Sequence, residues 1–251
     1  MTNRTAIVTG SASGIGAATV LALAAQSYDT LGIDCNLAGA EATARKAQAA
    51  SGKHHALLCD VRDEAQLVKV MAQAAALLGG LDALATCAGV AEKTAFMQLT
   101  ATEFKATFDV NVIGTFVAIR EAAKHMMDGG GRGGRICTVA SVAGLRGGGL
   151  MGTAAYAASK GAVLALSKNA ARAFAPQGIS VNCIAPGATL TPMIAEAWQN
   201  DALRQQIEGL TVQNRTAEPH EIAANIVYLL SPQASYVTGA TLVADGGLTM
   251  Y

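Results

Sequence analysis

Residues 5–26 read TAIVTGSASGIGAATVLALAAQ, and the fold follows from the way this stretch changes period. Through Thr9 the residues are apolar or β-branched with no polar alternation, as a strand covered on both faces requires. Gly10, Gly14 and Gly16 come next, with Ser13 and Ile15 between them, and an alanine-rich run of helical period follows. Glycines between a strand and a helix allow a tight turn. They also let a pyrophosphate approach backbone N–H groups at the positive helix end. Gly10, Ser13, Gly14, Ile15 and Gly16 are therefore candidate dinucleotide contacts.

The next strand-like run, DTLGID, ends in Asp34, 18 positions beyond Gly16. A carboxylate there is placed to accept hydrogen bonds from the adenosine ribose hydroxyls and to repel a 2′-phosphate. Neither Cys35 nor Ser13 supplies a cation to welcome that phosphate, so NAD is expected over NADP. Further along, apolar runs near 5–9, 29–34, 54–59, 81–86, 133–140, 179–185 and 240–244 alternate with helical patterns near 14–26, 38–51, 63–78, 101–127, 154–175 and 218–230. This alternation predicts an α/β fold over residues 1–251, a single Rossmann-type domain. Its doubly wound parallel sheet has about seven strands, with helices on both faces. Residues 187–215 break the rhythm with a further helical stretch at about 192–209. The segment about 188–212 is expected to be a small substrate lid, a static surface excursion being the alternative.

Hydrophobic residues make up 51% of the chain and charged residues 14%, with formal net charge zero. That balance excludes an electrostatic footprint for nucleic acid. Five scattered cysteines form no CxxC pair and have no histidine at metal-ligand spacing, so reduced thiols and no metal are expected. The N-terminus lacks the signal-peptide pattern, and no uncharged apolar run reaches about 20 residues. A soluble cytoplasmic protein with a small-molecule partner and no membrane partner is the expectation.

One helical segment, GTAAYAASKGAV (152–163), carries Tyr156 and Lys160 four positions apart on one helical face. A free phenol titrates near pH ~10, too high for ready proton exchange, but a neighbouring ammonium favours the phenolate. Tyr156 is thus a candidate acid/base.

The pattern TGxxxGxG at Thr9–Gly16, together with Tyr156-x-x-x-Lys160, resembles the short-chain dehydrogenase/reductase family, and the likeness runs through essentially the whole chain. It includes Asp60-Val61, similar to the family's adenine-contacting pair, DVNVIGTF with Asn111, Ser141, APGATLTPM (185–193) and YVTGATLVADGG (236–247). The resemblance implies hydride transfer between NAD and an alcohol/ketone pair, with Tyr156 as acid/base. It implies that Lys160 holds the nicotinamide ribose, Ser141 bonds the substrate oxygen, and Asn111 holds a water in a proton relay. By the same likeness Ala88, Gly89, Pro186, Gly187, Thr189 and Thr191 contact the cofactor. Ala143, Leu150, Met151, Ala188, Leu190, Met193, Ile194 and Trp198 are then the substrate-facing positions. These are small or apolar, which suits a neutral, moderately hydrophobic secondary alcohol; Arg146 and Lys93 are the nearby cations. Small residues at 157, 158, 161 and 165 would let another helix approach closely, and the resemblance implies that this helix packs across a subunit interface in a homotetramer, packing on the chain's own sheet being the alternative.

Three features depart from the family pattern. TCAG (86–89) stands where NNAG is common, which puts polar support of the sheet edge in doubt. Ser141 and Tyr156 are 15 positions apart, two more than usual, the surplus falling in GLRGGGLMGT (144–153). Thr189 replaces a common Ile or Val. A 3-oxoacyl-carrier-protein reductase and a non-catalytic dinucleotide-sensing protein remain as alternatives, the first weakened by Asp34 and the second by the intact Ser141, Tyr156 and Lys160.

Overall fold

The computed structural model describes residues 3–50, 52–128, 133–148 and 153–250. Seven strands form one parallel sheet: β1 (Arg4–Thr9), β2 (Tyr28–Asp34), β3 (His54–Leu58), β4 (Ala83–Thr86), β5 (Gly134–Val139), β6 (Ile179–Pro186) and β7 (Thr241–Ala244). Their order is β3-β2-β1-β4-β5-β6-β7. The winding reverses between β1 and β4, so a crevice opens at their carboxyl ends, where ligands of such sheets bind.

Helices α1 (Gly14–Ala25), α2 (Leu37–Ala47), α3 (Glu64–Leu78), α4 (Ala101–Phe108), α5 (Thr115–Asp128), α6 (Val142–Arg146), α7 (Ala154–Phe174), α8 (Ala195–Trp198), α9 (Asp201–Glu208) and α10 (Pro219–Leu230) complete the chain. Two apolar layers cover the sheet. One joins Leu67 and Met71 of α3 and Val117 and Met126 of α5 to Ile7, Leu31 and Leu84. The other joins Val20 and Leu23 of α1 and Ile222 and Leu229 of α10 to Val8 and Ala85. The central strands β1 and β4 are buried along nearly their whole length, which accounts for their lack of polar alternation.

Element boundaries differ from the sequence expectations in two informative places. The long helix expected at 101–127 is interrupted by a π-helical segment, Asp109–Gly114, that carries Asn111. Such insertions cluster at functional positions. The stretch expected to be helical at 192–209 divides into a 3₁₀ turn (Pro192–Ile194), α8 and α9, because the Asn200 side chain accepts from the Leu203 N–H at 3.1 Å and starts a new helix. Leu150 and Met151 lie outside the described residues.

Candidate active site

At the β1–α1 turn, Gly10 has φ +72°, and a Cβ there would stand 2.6 Å from the Ala88 nitrogen. A Cβ on Gly16 would stand 2.0 Å from the Gly10 carbonyl oxygen. The loop thus closes on itself and on the end of β4 with no room for side chains, leaving backbone exposed to the crevice. Ser13 is the N-cap of α1 in an extended conformation, and its hydroxyl makes no cap bond. The N–H groups of Gly14, Ile15 and Gly16 have no partner inside the helix by geometry. A cradle this bare, with donors at its mouth, fits a pyrophosphate. Thr191 closes it from the other side, its Cγ2 lying 3.0 Å from where a Gly14 Cβ would be.

Asp34 ends β2 with both carboxylate oxygens used once: Oδ2 accepts from the Ala12 N–H at 2.9 Å and Oδ1 from the Asn36 N–H at 2.8 Å. It ties the glycine loop to the end of β2. Asp60 follows β3 and is gripped by Arg62, whose Nε lies 3.0 Å from each oxygen. The Arg62 guanidinium holds the Asp60 carboxyl below its usual range. Sequence reasoning missed Arg62. Val61 beside it is buried and packs on Gly114.

Across the crevice Ser141 caps α6, its Oγ accepting from the Ala143 N–H at 3.1 Å, and its hydroxyl stands beside the Tyr156 phenol. Burial raises the Tyr156 pKa and the Ser141 hydroxyl works against that rise. Lys160, 5% exposed, donates from Nζ to the Val139 carbonyl at 2.8 Å and lies 5.8 Å from the centre of the Tyr156 ring. Burial lowers its pKa to about 8. A Cβ on Gly89 would contact Asn111 Oδ1 at 3.3 Å and Lys160 Nζ at 3.4 Å, so these two groups and Gly89 meet at one point.

The Asn111 side chain is heavily engaged. Its Oδ1 accepts from the Val90 N–H at 2.9 Å, and its Nδ2 donates to the Val90 carbonyl and to Ser159 Oγ, each at 2.9 Å. Both amide donors are committed, which leaves only Oδ1 with spare capacity toward a water. Ser159 and the nearby Glu92 carry no motif in the sequence, and only the folded arrangement shows them. In TCAG the Thr86 hydroxyl is buried without a partner among the described residues. Thr9 supplies support instead, its carbonyl accepting from the Cys87 N–H at 3.1 Å and its hydroxyl from the Ala88 N–H at 3.4 Å. Thr189 turns its hydroxyl back to the Gly187 carbonyl at 3.1 Å. Of the expected pocket positions, Ala143 and Ile194 are buried, Ala188, Leu190 and Trp198 half-buried, and Met193 exposed. Among the described residues no group of His, Cys, Asp or Glu is placed to hold a metal ion, and no helix is long and apolar enough to cross a membrane.

A family model described as enoyl-(acyl carrier protein) reductase matches residues 10–249. The chain is 37% identical over 251 residues to a 2,5-dichloro-2,5-cyclohexadiene-1,4-diol dehydrogenase of Sphingobium indicum, covering 99% of this chain and 98% of that one. A short-chain type dehydrogenase/reductase from Mycobacterium marinum superposes with a TM-score of 0.92 at 31% identity, covering 99% of this chain and 96% of that chain. The chain is a short-chain dehydrogenase/reductase. A D-threitol dehydrogenase of Mycolicibacterium smegmatis is likewise 37% identical over 98% of this chain and 93% of its own length. This short-chain dehydrogenase/reductase is therefore an oxidoreductase of alcohol CH–OH groups that uses a nicotinamide dinucleotide.

Proposed function

We propose that this short-chain dehydrogenase/reductase interconverts a neutral, moderately hydrophobic secondary alcohol and its ketone, with NAD as cofactor and Tyr156 as acid/base. One observation carries the reading: the Lys160 ammonium, itself buried, lies 5.8 Å from the centre of the half-buried Tyr156 ring and meets Asn111 Oδ1 at Gly89. The bound nicotinamide supplies the hydride acceptor or donor. In oxidation Tyr156 takes the hydroxyl proton and Ser141 holds the same oxygen. Lys160 spends one of its three donors on Val139 and keeps two for the nicotinamide ribose hydroxyls. Asn111 Oδ1 holds the relay water. Gly10, Ser13, Gly14, Ile15 and Gly16 hold the pyrophosphate, Asp34 the adenosine ribose, and Asp60 with Val61 the adenine. Ala88, Gly89, Pro186, Gly187, Thr189 and Thr191 line the nicotinamide side.

Asp34 favours NAD through its charge. A neutral substrate is supported by the two 37% identical relatives, named for a cyclic diol and for D-threitol. It is also supported by the small or apolar residues at Ala143, Ala188, Leu190, Met193, Ile194 and Trp198. The segment 188–212, three short helical pieces hung between bonds of Ala188 and Leu190 to Ala217, acts as the lid. Ala157, Ala158 and Gly161 line a groove with Phe96 and Gly144, which supports close apposition of α7 in a homotetramer.

Tyr156→Phe removes only the proton-carrying oxygen, so turnover falls by at least ~100-fold while NADH affinity stays within twofold. Activity on a panel of secondary alcohols, with NADH binding followed by fluorescence, checks this. Residual turnover above a tenth of wild type overturns the assignment.

A further inference from the structure

Helix α7 begins without a cap of its own: Thr153, its N-cap residue, makes no side-chain bond to the helix. The N–H groups of its first turn would be unsatisfied. Two of them are met instead by a residue from the β4–α4 loop. Glu92 Oε1 accepts from the Ala155 N–H at 3.1 Å and Oε2 from the Tyr156 N–H at 3.0 Å. The Thr153 hydroxyl bonds the same carboxylate and lies 3.0 Å from the Glu92 carbonyl oxygen.

The same loop reaches Tyr156 from its other side. Asn111 binds both backbone polar groups of Val90 and donates to Ser159 Oγ, and Ser159 Oγ donates to the Tyr156 carbonyl at 2.8 Å. The backbone N–H of Tyr156 is thus held by Glu92, and its carbonyl by Ser159 and Asn111, through one three-residue stretch of loop. The need for such a clamp is visible in the sequence. Tyr156 sits in the first turn of α7, where helices fray, and the residues before it are the glycine-rich GLRGGGLMGT. Glycine-rich chain cannot fix a helix start by itself. A misplacement of about 1 Å in a catalytic group can lower turnover by ~100-fold.

We propose that Glu92 is a positioning residue: its carboxylate caps α7 from the β4–α4 loop and sets the height and direction of the Tyr156 phenol over the reacting oxygen. The inference rests on the reading of Tyr156 as acid/base. It also has an electrostatic side. The carboxylate offsets the positive end of α7, so removing its charge leaves that end to favour the phenolate.

Three variants decide it: Glu92→Gln, which keeps the size and one acceptor but loses the charge; Thr153→Val, which removes the hydroxyl partner from α7; and Tyr156→Phe. Each is assayed in NAD⁺-dependent oxidation of whichever of cyclohexane-1,2-diol, cyclohexane-1,4-diol and D-threitol the wild type oxidises fastest. NADH affinity and thermal midpoint are measured alongside. Glu92→Gln is expected to lower kcat by about tenfold with NADH affinity and thermal midpoint nearly unchanged, and to move the acid limb of the kcat/KM profile about half a pH unit toward lower pH. Thr153→Val lowers kcat severalfold with no movement of that limb, because no charge is lost. An unmoved limb in Glu92→Gln, or a kcat loss that only tracks lost NADH binding and thermal stability, overturns the proposal. If Tyr156→Phe stays active, both this inference and the acid/base reading fall. If it is inactive while Glu92→Gln matches wild type, only this inference falls.

Discussion

The two ends of the dinucleotide crevice are built from different material. At the β1–α1 turn the contacts are backbone, and Gly10 and Gly16 sit where a single added carbon would collide with a neighbouring main chain. At the β5–α7 end the proposed working groups are the side chains of Ser141, Tyr156, Lys160 and Asn111, drawn from a strand end, two points on one helix and a π-helical segment. The first end excludes atoms; the second buries charge and hydroxyls. The difference is energetic as well as geometric. Backbone N–H groups at a helix start are satisfied by an incoming phosphate at no standing electrostatic penalty. A buried ammonium and a half-buried phenol are held away from their preferred states, Lys160 pushed down to about 8 and Tyr156 upward.

The phosphate end should break most sharply at its one placed carboxylate. A 2′-phosphate charge about 4 Å from Asp34, at an effective dielectric of ~20, is repelled by about 4 kcal/mol, or roughly three decades in kcat/KM between NAD⁺ and NADP⁺. Asp34→Ala with Cys35→Arg is expected to reverse the preference. Asp34 also accepts from the Ala12 and Asn36 N–H groups, so the same change weakens use of NAD⁺ itself. Comparable wild-type kcat/KM with both cofactors would remove Asp34 as the selecting residue.

How much of each end was legible in the sequence follows from the same contrast. Glycine spacing is a local constraint, so the strand-turn-helix at Thr9–Gly16 and the sheet around it can be read directly, and the observed strand order agrees with a doubly wound sheet. Tyr156 and Lys160 share a face by helix period alone. The clamps that hold them do not show: Glu92 reaches α7 across 63 positions of chain to Ala155, and Asn111 reaches Ser159 across 48. Nothing in the local pattern of AEKTAF marks such a partner. The division of 192–209 into separate pieces was hidden for another reason, since the Asn200 cap competes with a helical period that continues on both sides of it.

At the chemical end, function and stability should oppose each other at Lys160. Its pKa in the fold is about 8 against an ordinary 10.5. Above pH 10.5 the side chain is neutral folded or unfolded. As pH falls from 10.5 toward 8 the unfolded chain takes the proton first, stability drops, and below 8 the full penalty of about 3 kcal/mol remains. Lys160→Met removes that penalty but strands the Val139 carbonyl, which costs ~1 kcal/mol. The cofactor-free Met variant is therefore expected to be inactive yet more stable than wild type by about 2 kcal/mol at pH 7, with the advantage shrinking as pH approaches 10. Urea unfolding at both pH values measures it. A variant less stable than wild type at pH 7 would mean that the buried ammonium is a net anchor of the fold.

The β3 edge of the sheet offers the matching test without a catalytic role. His54 opens β3, with Nδ1 2.8 Å from the Thr30 hydroxyl and Nε2 buried without a partner among the described residues. Burial pushes its pKa below the ordinary 6.5; Asp29 works against the shift and His55 with it. Above pH 6.5 the ring is neutral in both states. As pH falls below 6.5 the unfolded chain binds the proton first, so stability is lost until the folded ring can also titrate. Between pH 7.5 and 5.5 wild type should lose more stability than His54→Asn in urea unfolding. If the variant loses as much stability in acid as wild type, the acid sensitivity belongs to paired carboxylates such as Asp60 and Glu221, whose pKa values are held low by Arg62 and Arg215, and the electrostatic penalty of this fold is confined to its chemical end.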